Sequence, residues 1–469
     1  MTQGSKNNKY GNFPDPFASP LEKSDRSYGL KYAKAIESQW GKSDNSGSLL
    51  RQRLHDFEKN RDYANGTQDS SVYKQILNAL DPNNGDGTLL NLDWSPVPIV
   101  PKFVKVVVNR ILSRKPYPSI DAIDPVSKGE KDEARAAIES SIEDKELLKE
   151  AKAMGLQPQI DPDILPDTTE EAEIFMEQNM KTNAEIAAQL ATSLTLDWND
   201  FDQTVYRRAV EDLVVCGMGV IKRDNDPNYG ITTKYVDPST FLHSYTEDPT
   251  MSDIVYGGHI KRISIQELKR MAGDELTESQ YEEIAKGVMG KKYNDKSLFG
   301  VKSYDRGAGG YTHGYDDYLI DIMDFEFLSV DCVYYESKES QFGNTGFYFK
   351  GGEYKESAGS VYDRQPYKME NQTIYGGCYV VGTSMIFGYG MKKNVPKNVH
   401  DLTKARLSYS VACTNIRRMR PKSIVGSVIG FADQLQLTHL KIQQAVAKAK
   451  PDGILVDIEG LENVDRKST

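Results

Sequence analysis

The feature that most constrains the fold is a change of pattern near residue 290. Between Tyr293 and Tyr389 the chain carries 14 of its 27 tyrosines, set among β-branched and aromatic runs with Gly- and Ser-rich turns. Before that point apolar residues recur mostly at helical spacing. The chain therefore reads as α+β. At 469 residues it exceeds what one hydrophobic core usually serves, so several sub-domains are expected.

Residues 1–48 are rich in Gly, Ser, Asn, Pro and Lys and read as a polar, flexible N-terminal arm. Leu50, Leu54 and Phe57 open a helix that ends near Gly66, and a second helix over 72–80 stops at Asp81-Pro82. Pro96, Pro98 and Pro101 stiffen an extended lead-in to a third. It spaces Phe103, Val104, Val107, Val108, Ile111 and Leu112 on one side and carries Lys102, Lys105, Arg110, Arg114 and Lys115. A charged helix over 127–157 and a Pro/Asp linker over 157–167 follow. Asp167 or Thr168 then caps a helical stretch running to about Leu196. A helix over 202–215 is stopped by Gly217 and Gly219, strands are expected at 219–223, 231–236 and 254–261, and a helix over 264–287. The tyrosine-rich region gives strands at 318–327, 332–337, 346–349 and 373–381.

Charge adds a second constraint. The net charge is −10, which excludes a chain that coats nucleic acid or anionic membrane with its whole surface. From Lys404 to Lys450 the sign inverts: Lys404, Arg406, Arg417, Arg418, Arg420, Lys422, Lys441, Lys448 and Lys450 face one acid, Asp433. A long helix over 425–449 lies here, with the uncharged polar residues Gln434, Gln436, Thr438, Gln443 and Gln444. Pro451-Asp452-Gly453 ends it and Ile454-Leu455-Val456 reads as a strand. A basic run is ordinarily a solvated face; beside an amide-rich helix it favours contact with a polyanion.

Strings that imitate catalytic sites fail on physical grounds. Gly41-Lys42-Ser43 lacks the opening glycine and the strand of a phosphate-binding loop. The turn at 81–87 lacks the first ligand and the bidentate Glu of a calcium loop. Arg306-Gly307-Ala308-Gly309-Gly310 lacks dinucleotide-site spacing, the six histidines are scattered, and no Gly-x-Ser-x-Gly elbow occurs. Cys216, Cys332, Cys378 and Cys413 stand far apart, which excludes zinc ribbons and disulfide scaffolds and fits a reducing compartment. The first residues contain no apolar signal segment. The longest apolar run, 213–221, is about half the ~18 residues a bilayer span needs, so no membrane association is expected. No catalytic residue, metal or cofactor is assigned, and an enzyme is not expected.

The order of these elements resembles the portal proteins of tailed bacteriophages, most like those of the crAss-like phages. Arg61-Asp62-Tyr63-Ala64-Asn65-Gly66-Thr67-Gln68 is similar to the aromatic-x-x-Gly-x-Gln signature near portal N-termini. The helix after Pro101 has the central Asn109-Arg110. Asp212-Leu213 through Gly217-Met218-Gly219-Val220 resembles the helix-to-strand step, and Val236-Asp237-Pro238 with Asp248-Pro249 the wing strands. The helix over 425–449, with Asp433-Gln434, resembles the one after the clip. The resemblance covers most of residues 50–460.

It implies a ring, ordinarily a dodecamer, at one capsid vertex, through which double-stranded DNA is packaged by a terminase and later ejected. Docking to the major capsid protein and to head-tail connector and tail proteins is implied as well. On this frame residues 49–290 are wing, 291–390 the β-rich clip, 391–450 the basic stem-helix region, and 451–469 the start of a further wing strand with no crown evident. Lys441, Lys448 and Lys450 with Gln443 and Gln444 are the candidate DNA-channel residues. Arg417, Arg418, Arg420 and Lys422 are candidates for inter-subunit or phosphate contact. Localisation in the virion, after assembly in host cytoplasm, follows from the same resemblance. Two rival readings stand beside it. One is a structural adaptor that docks through the tyrosine-rich sheet without a DNA tunnel. The other is a nucleic-acid enzyme, for which the basic stretch supplies only Asp433 as an acid.

Overall fold

The computed structural model describes residues 13–41, 49–80, 92–114, 118–154, 168–226, 229–291, 319–339, 345–351, 367–398 and 401–448. The first helices are α1 (Pro20–Ser24), α2 (Arg26–Gly41), α3 (Leu49–Asn65), α4 (Ser71–Leu80) and α5 (Val100–Leu112). Next come α6 (Pro125–Glu143), α7 (Lys145–Ala153), α8 (Thr169–Asn179), α9 (Asn183–Trp198) and α10 (Arg207–Val215). Strands β1 (Met218–Asp226), β2 (Gly230–Val236), β3 (Phe241–His243) and β4 (Tyr256–Ser264) precede α11 (Ile265–Ala272) and α12 (Glu278–Lys291). The larger strands are β5 (Leu319–Glu339), β6 (Thr345–Gly351), β7 (Tyr367–Val380) and β8 (Ile386–Met391). Short ones follow: β9 (Lys397–Asn398), β10 (Asp401–Ala405), β11 (Tyr409–Cys413), β12 (Ile416–Arg417) and β13 (Arg420–Pro421), then α13 (Ile424–Lys448). The α+β class expected from the sequence holds. The strand expected at 454–456 lies outside the described residues.

The chain divides into two compact units: Met1–Ile111, Ala209–Lys222 and Val236–Thr469 form the first, Leu112–Arg208 and Arg223–Tyr235 the second. In the first unit one sheet has the strand order β3-β4-β5-β7-β8, with β6 also paired to β5. Strand β5 runs unbroken through the two strands expected at 318–327 and 332–337, and pairs antiparallel with β7 from Ile322↔Val380 to Tyr335↔Tyr367. It also pairs β4 from Tyr256↔Phe327 to Ser264↔Leu319. The composition change near residue 290 thus falls between two neighbouring strands of one sheet.

Both faces of β5 are covered, and alternation sorts them. Met323, Phe325 and Phe327 join Tyr256, Ile260, Tyr375 and Tyr379 in one apolar cluster. Ile320 and Ile322 turn the other way and pack with Leu268, Leu276, Tyr281 and Ile284 from the α11–α12 segment. Farther along that second face sit charges. Lys222 of β1 is buried and donates to Asp324 at 2.5 Å, with Glu326 at 4.0 Å. Lys261 and Lys392 approach the same two carboxylates at 3.6 and 3.5 Å. Burial would raise the Asp324 carboxyl, but the charges of Lys222, His259, Lys261 and Lys392 outweigh it and hold the group well below the usual range.

The central Phe325-Glu326 pair is flanked by glycines on both neighbours: Gly258 and Gly257 on β4, Gly377 and Gly376 on β7. A Cβ at Gly376 would lie 2.8 Å from the Phe325 carbonyl oxygen and 3.0 Å from Glu326 Cγ, so only glycine fits there.

The N-terminal region departs from its expectation. It is not a flexible arm over its described part, because α2 carries Tyr28, Tyr32, Ile36 and Trp40 at every fourth position and buries all four against the sheet. Tyr32 stacks on Phe327 with ring centroids 3.9 Å apart, and Trp40 Nε1 donates to the Tyr256 hydroxyl at 3.2 Å. Lys23, itself buried, donates to the Val330 carbonyl and to Asp331 at 3.0 and 3.1 Å.

In the second unit, Asp124 caps α6 by accepting from the Ser127 N–H, with Pro125 in the first turn. Thr168 caps α8 as expected, but the helical stretch to Leu196 is broken in two. A capping box, with Thr182 and Glu185 each bonded to the other's backbone, starts α9 afresh. Glu185 is buried and also accepts from the Ala122 N–H and from Lys131 Nζ, both at 2.6 Å. Burial would raise its carboxyl; Lys131 and the two backbone donors pull it down to about 2.

Two outcomes are expected. Removing residues 1–41, or changing Trp40→Ala, should cost about 3–5 kcal/mol in urea unfolding of the first unit; an unchanged midpoint would mean α2 is a dispensable arm after all. The folded pKa of Glu185 lies below its ordinary 4.5. Its contribution is therefore present above about pH 4.5 and is lost as pH falls toward 2. Glu185→Gln should speed hydrogen exchange of the α9 amides at pH 7 and flatten its acid dependence.

Candidate functional site

Helix α13 presents three sides. Val425, Gln436 and Leu440 are buried, Leu440 with Tyr73 and Leu77 of α4 and beside Trp94. Gln436 Oε1 accepts from the Val97 N–H at 2.8 Å while its Nε2 donates to the Ser95 carbonyl at 3.2 Å. Gln443 Oε1 accepts from the Asp93 N–H at 3.1 Å, and its Nε2 lies 2.9 Å from His439 Nε2. Asp433 accepts from Tyr63 and Tyr73 hydroxyls at 2.5 and 2.7 Å, and burial together with Asp433 pushes the Tyr63 hydroxyl up to about 12. These amides and this carboxylate hold α13 on α3, α4 and the chain at 92–97.

A second side is apolar and open: Ile424, Val428, Phe431, Leu435, Ile442 and Val446, with Phe431 and Val446 about 70% exposed (73% and 69%). The spacing is that of one stripe along a helix. The third side carries Gln434 and Lys441, both exposed and seven residues apart, and Lys448 occupies the next position in that line. Gln444 is half-buried, and Lys450 lies outside the described residues.

The arginines at 417–420 form a tight hairpin. Arg417 pairs with Arg420, and the two residues between them, Arg418 and Met419, have φ of 52° and 62°. Both central positions are left-handed, the pattern in which Asn-Gly is preferred, so Arg-Met there costs roughly 1–3 kcal/mol per residue. Met419 offsets part of this by packing on the main apolar cluster. Arg417, Arg418, Arg420 and Lys422 are all exposed, and Arg420 donates to Gln52.

Three segments that are far apart in sequence meet at Arg61. Its Nη2 donates to Asp212 at 3.1 Å and to Asp237 at 2.8 Å, and its Nη1 to Asp237 at 3.3 Å. Asp237 also accepts from the Ser239 N–H. Burial would raise the Asp237 carboxyl, but its hydrogen bonds to Arg61 and that cation's charge keep it below the usual range. Gly219 packs close to α10: a Cβ there would stand 2.6 Å from the Ala209 carbonyl oxygen. Arg61, Asp212 and Asp237 come from the Arg-Asp-Tyr signature, the helix-to-strand step and the Val-Asp-Pro segment. Sequence spacing could not show that they touch.

Two features were not anticipated from sequence. In the second unit α9 exposes Ile186, Leu190, Leu194 and Trp198 at four-residue spacing, each more than half exposed and Trp198 91% exposed. In the first unit Arg53 is buried, with Nε and Nη1 lacking any partner. The stripe was readable from its period; a buried arginine leaves no sequence signal. Among the described residues no group of acidic, histidine or cysteine side chains could hold a metal, and no helix is long and apolar enough to cross a membrane.

Residues 154–331 match the family model of the Phage P22-like portal protein. No curated protein matches the chain. The match supports a phage portal protein and covers α8 through most of β5, including the helix-to-strand step and the Val-Asp-Pro segment.

Arg61→Ala leaves Asp212 and Asp237 without their shared cation. Each charged hydrogen bond is worth about 1.5–3 kcal/mol, so stability of the first unit should fall by at least that much in chemical denaturation. Arg61→Lys should recover only part, because a single ammonium cannot reproduce the two-carboxylate fork.

Proposed function

We propose that this chain is a phage portal subunit that closes with other copies, a dodecamer by the resemblance, into a ring at one capsid vertex. Double-stranded DNA passes through it during packaging and ejection, and terminase, major capsid protein and head-tail connector or tail proteins dock on it. The observation that carries the reading is the match over 154–331, which contains two of the five segments whose order suggested it, the helix-to-strand step and the Val-Asp-Pro segment. The crAss-like grouping rests on that order alone. The portal role asks for positioning and passage, with no enzymatic turnover.

The geometry of α13 fits the role. Its apolar stripe faces neighbouring copies, while the line of Gln434, Lys441 and Lys448, continued toward Lys450, fronts the bore. Gln444 stands beside this line. Gln443, with its amide engaged at Asp93, serves mainly to hold the helix. A channel for rapid passage must guide DNA without gripping it. Every neutralised phosphate adds affinity and steepens the salt dependence, so sparse lysines within an acidic chain suit passage better than a continuous basic lining. Arg417, Arg418, Arg420 and Lys422, exposed on and beside the hairpin, meet acidic groups of a neighbouring copy or phosphate. The tyrosine-rich strands within 291–390 supply the clip that receives the tail.

Phe431→Asp with Ile442→Asp should cut ring assembly by more than about tenfold, the ~1.4 kcal/mol that one buried charge easily exceeds, as read by mass photometry; persistent rings would exclude this stripe from the interface. Lys441→Gln with Lys448→Gln should leave the ring intact and lower packaged DNA per particle. Unchanged packaging with intact rings would favour the adaptor reading instead.

A further inference from the structure

Under the β12–β13 hairpin, α3 and Trp40 help enclose a cavity of about 40 Å³. That is more than the ~10–15 Å³ needed for one water. Arg53, Asp56, Arg418 and Arg420 are its charged lining residues, so three guanidinium groups face one carboxylate.

Arg53 is the unusual member. It is 6% exposed, donates through Nη2 to the Phe241 carbonyl, and lies 4.7 Å over the Trp40 ring. Its Nε and Nη1 are buried with no hydrogen-bond partner, and no described carboxylate forms an ion pair with it. Burial draws its pKa down only to about 10, so the group stays charged at neutral pH. His243, on which the Arg53 charge acts, is held neutral by burial and by Arg53 itself, with its pKa lowered to about 3. It therefore adds no competing charge. A buried cation with open donors is costly unless an anion pairs with it. The hairpin meanwhile holds Arg418 at a left-handed φ that arginine seldom adopts, on the rim of the same cavity.

We propose that this cavity binds a phosphate dianion, taken up as the free ion or as the phosphate group of a small phosphomonoester. Arg53 supplies its unneutralised charge at the floor, and Arg418 and Arg420 donate to the oxygens from the hairpin. A multi-oxygen anion suits several convergent guanidinium donors better than chloride does, and the cavity is far too small for a duplex. The site lies within one chain and is tested whether or not rings form.

The test is thermal unfolding of the full chain in inorganic phosphate against chloride at constant ionic strength. A parallel series uses a nucleoside monophosphate. Ligand linkage should raise the midpoint by roughly 2–4 °C in phosphate. Phosphate also stabilises folded proteins generally, by exclusion from their surfaces, so the reference is Arg418→Asn with Arg420→Gln. Both positions are exposed, and asparagine tolerates the left-handed φ, so this variant should fold and lose the extra shift. Arg53→Met should lose it too; if that variant fails to fold, the hairpin pair decides. A shift with both ligands identifies a phosphomonoester site, and a shift with inorganic phosphate alone a free-ion site. Equal shifts in wild type and the hairpin variant, or none in either, would overturn the proposal.

Discussion

The first unit depends on a set of charges buried in its sheet. Lys222 comes from β1, in a different sheet from the carboxylates it meets, and its ammonium has no route to water. Lys222 is the nearer of the two cations at Asp324, and its charge leads those of His259, Lys261 and Lys392 in holding that carboxyl below its usual range against the cost of burial. Such a group adds little net stability over an apolar equivalent, yet removing one partner leaves a buried charge unpaired, at about 3–5 kcal/mol. What it supplies is uniqueness of arrangement: β1, with its partner β11, packs on β5 in the one position that places Lys222 between the two acids. Tyr409 of β11 completes the enclosure by donating to the Asp324 carbonyl.

Space for these charges comes from the Tyr-Gly-Gly triplets at 256–258 and 375–377. In each neighbour of β5 the tyrosine lies opposite Phe327 and the glycines lie opposite Glu326 and Phe325. Bulk on the central strand is matched by its absence on both sides. That is why Phe325 on one face and Glu326 on the other can both be fully buried. On the aromatic face the same arrangement leaves a surface of rings, and α2 fills it with Tyr28, Tyr32, Ile36 and Trp40.

The helix faces left open carry the functional reading. The α13 stripe and, within the second unit, the α9 stripe are both built at helical spacing and both remain exposed. Large apolar faces of this kind mark interaction surfaces. The polar residues of α13 divide between tasks: Gln436 and Gln443 satisfy backbone donors of the 92–97 segment, while Gln434 and Lys441 stay in solvent.

Most helices and strands were legible in the sequence because their signals are local: Thr168 as a cap, Gly217 as a stop, alternation through 319–327. The N-terminal helix was obscured because the 48 residues around it are rich in Gly, Ser, Asn, Pro and Lys, although Tyr28, Tyr32, Ile36 and Trp40 recur at every fourth position. The break at Thr182 was missed because a capping box inside a continuous helical pattern looks like more helix. By itself, then, the sequence determined the class of the fold, the inverted charge of 404–450, and the order of segments that resembles a portal. Tertiary structure alone decided that Arg61 clasps Asp212 and Asp237, that Lys222 lies between Asp324 and Glu326, and that Arg53 is sealed with open donors. Those contacts join residues scores to hundreds of positions apart, and no local period records which distant side chain will meet which.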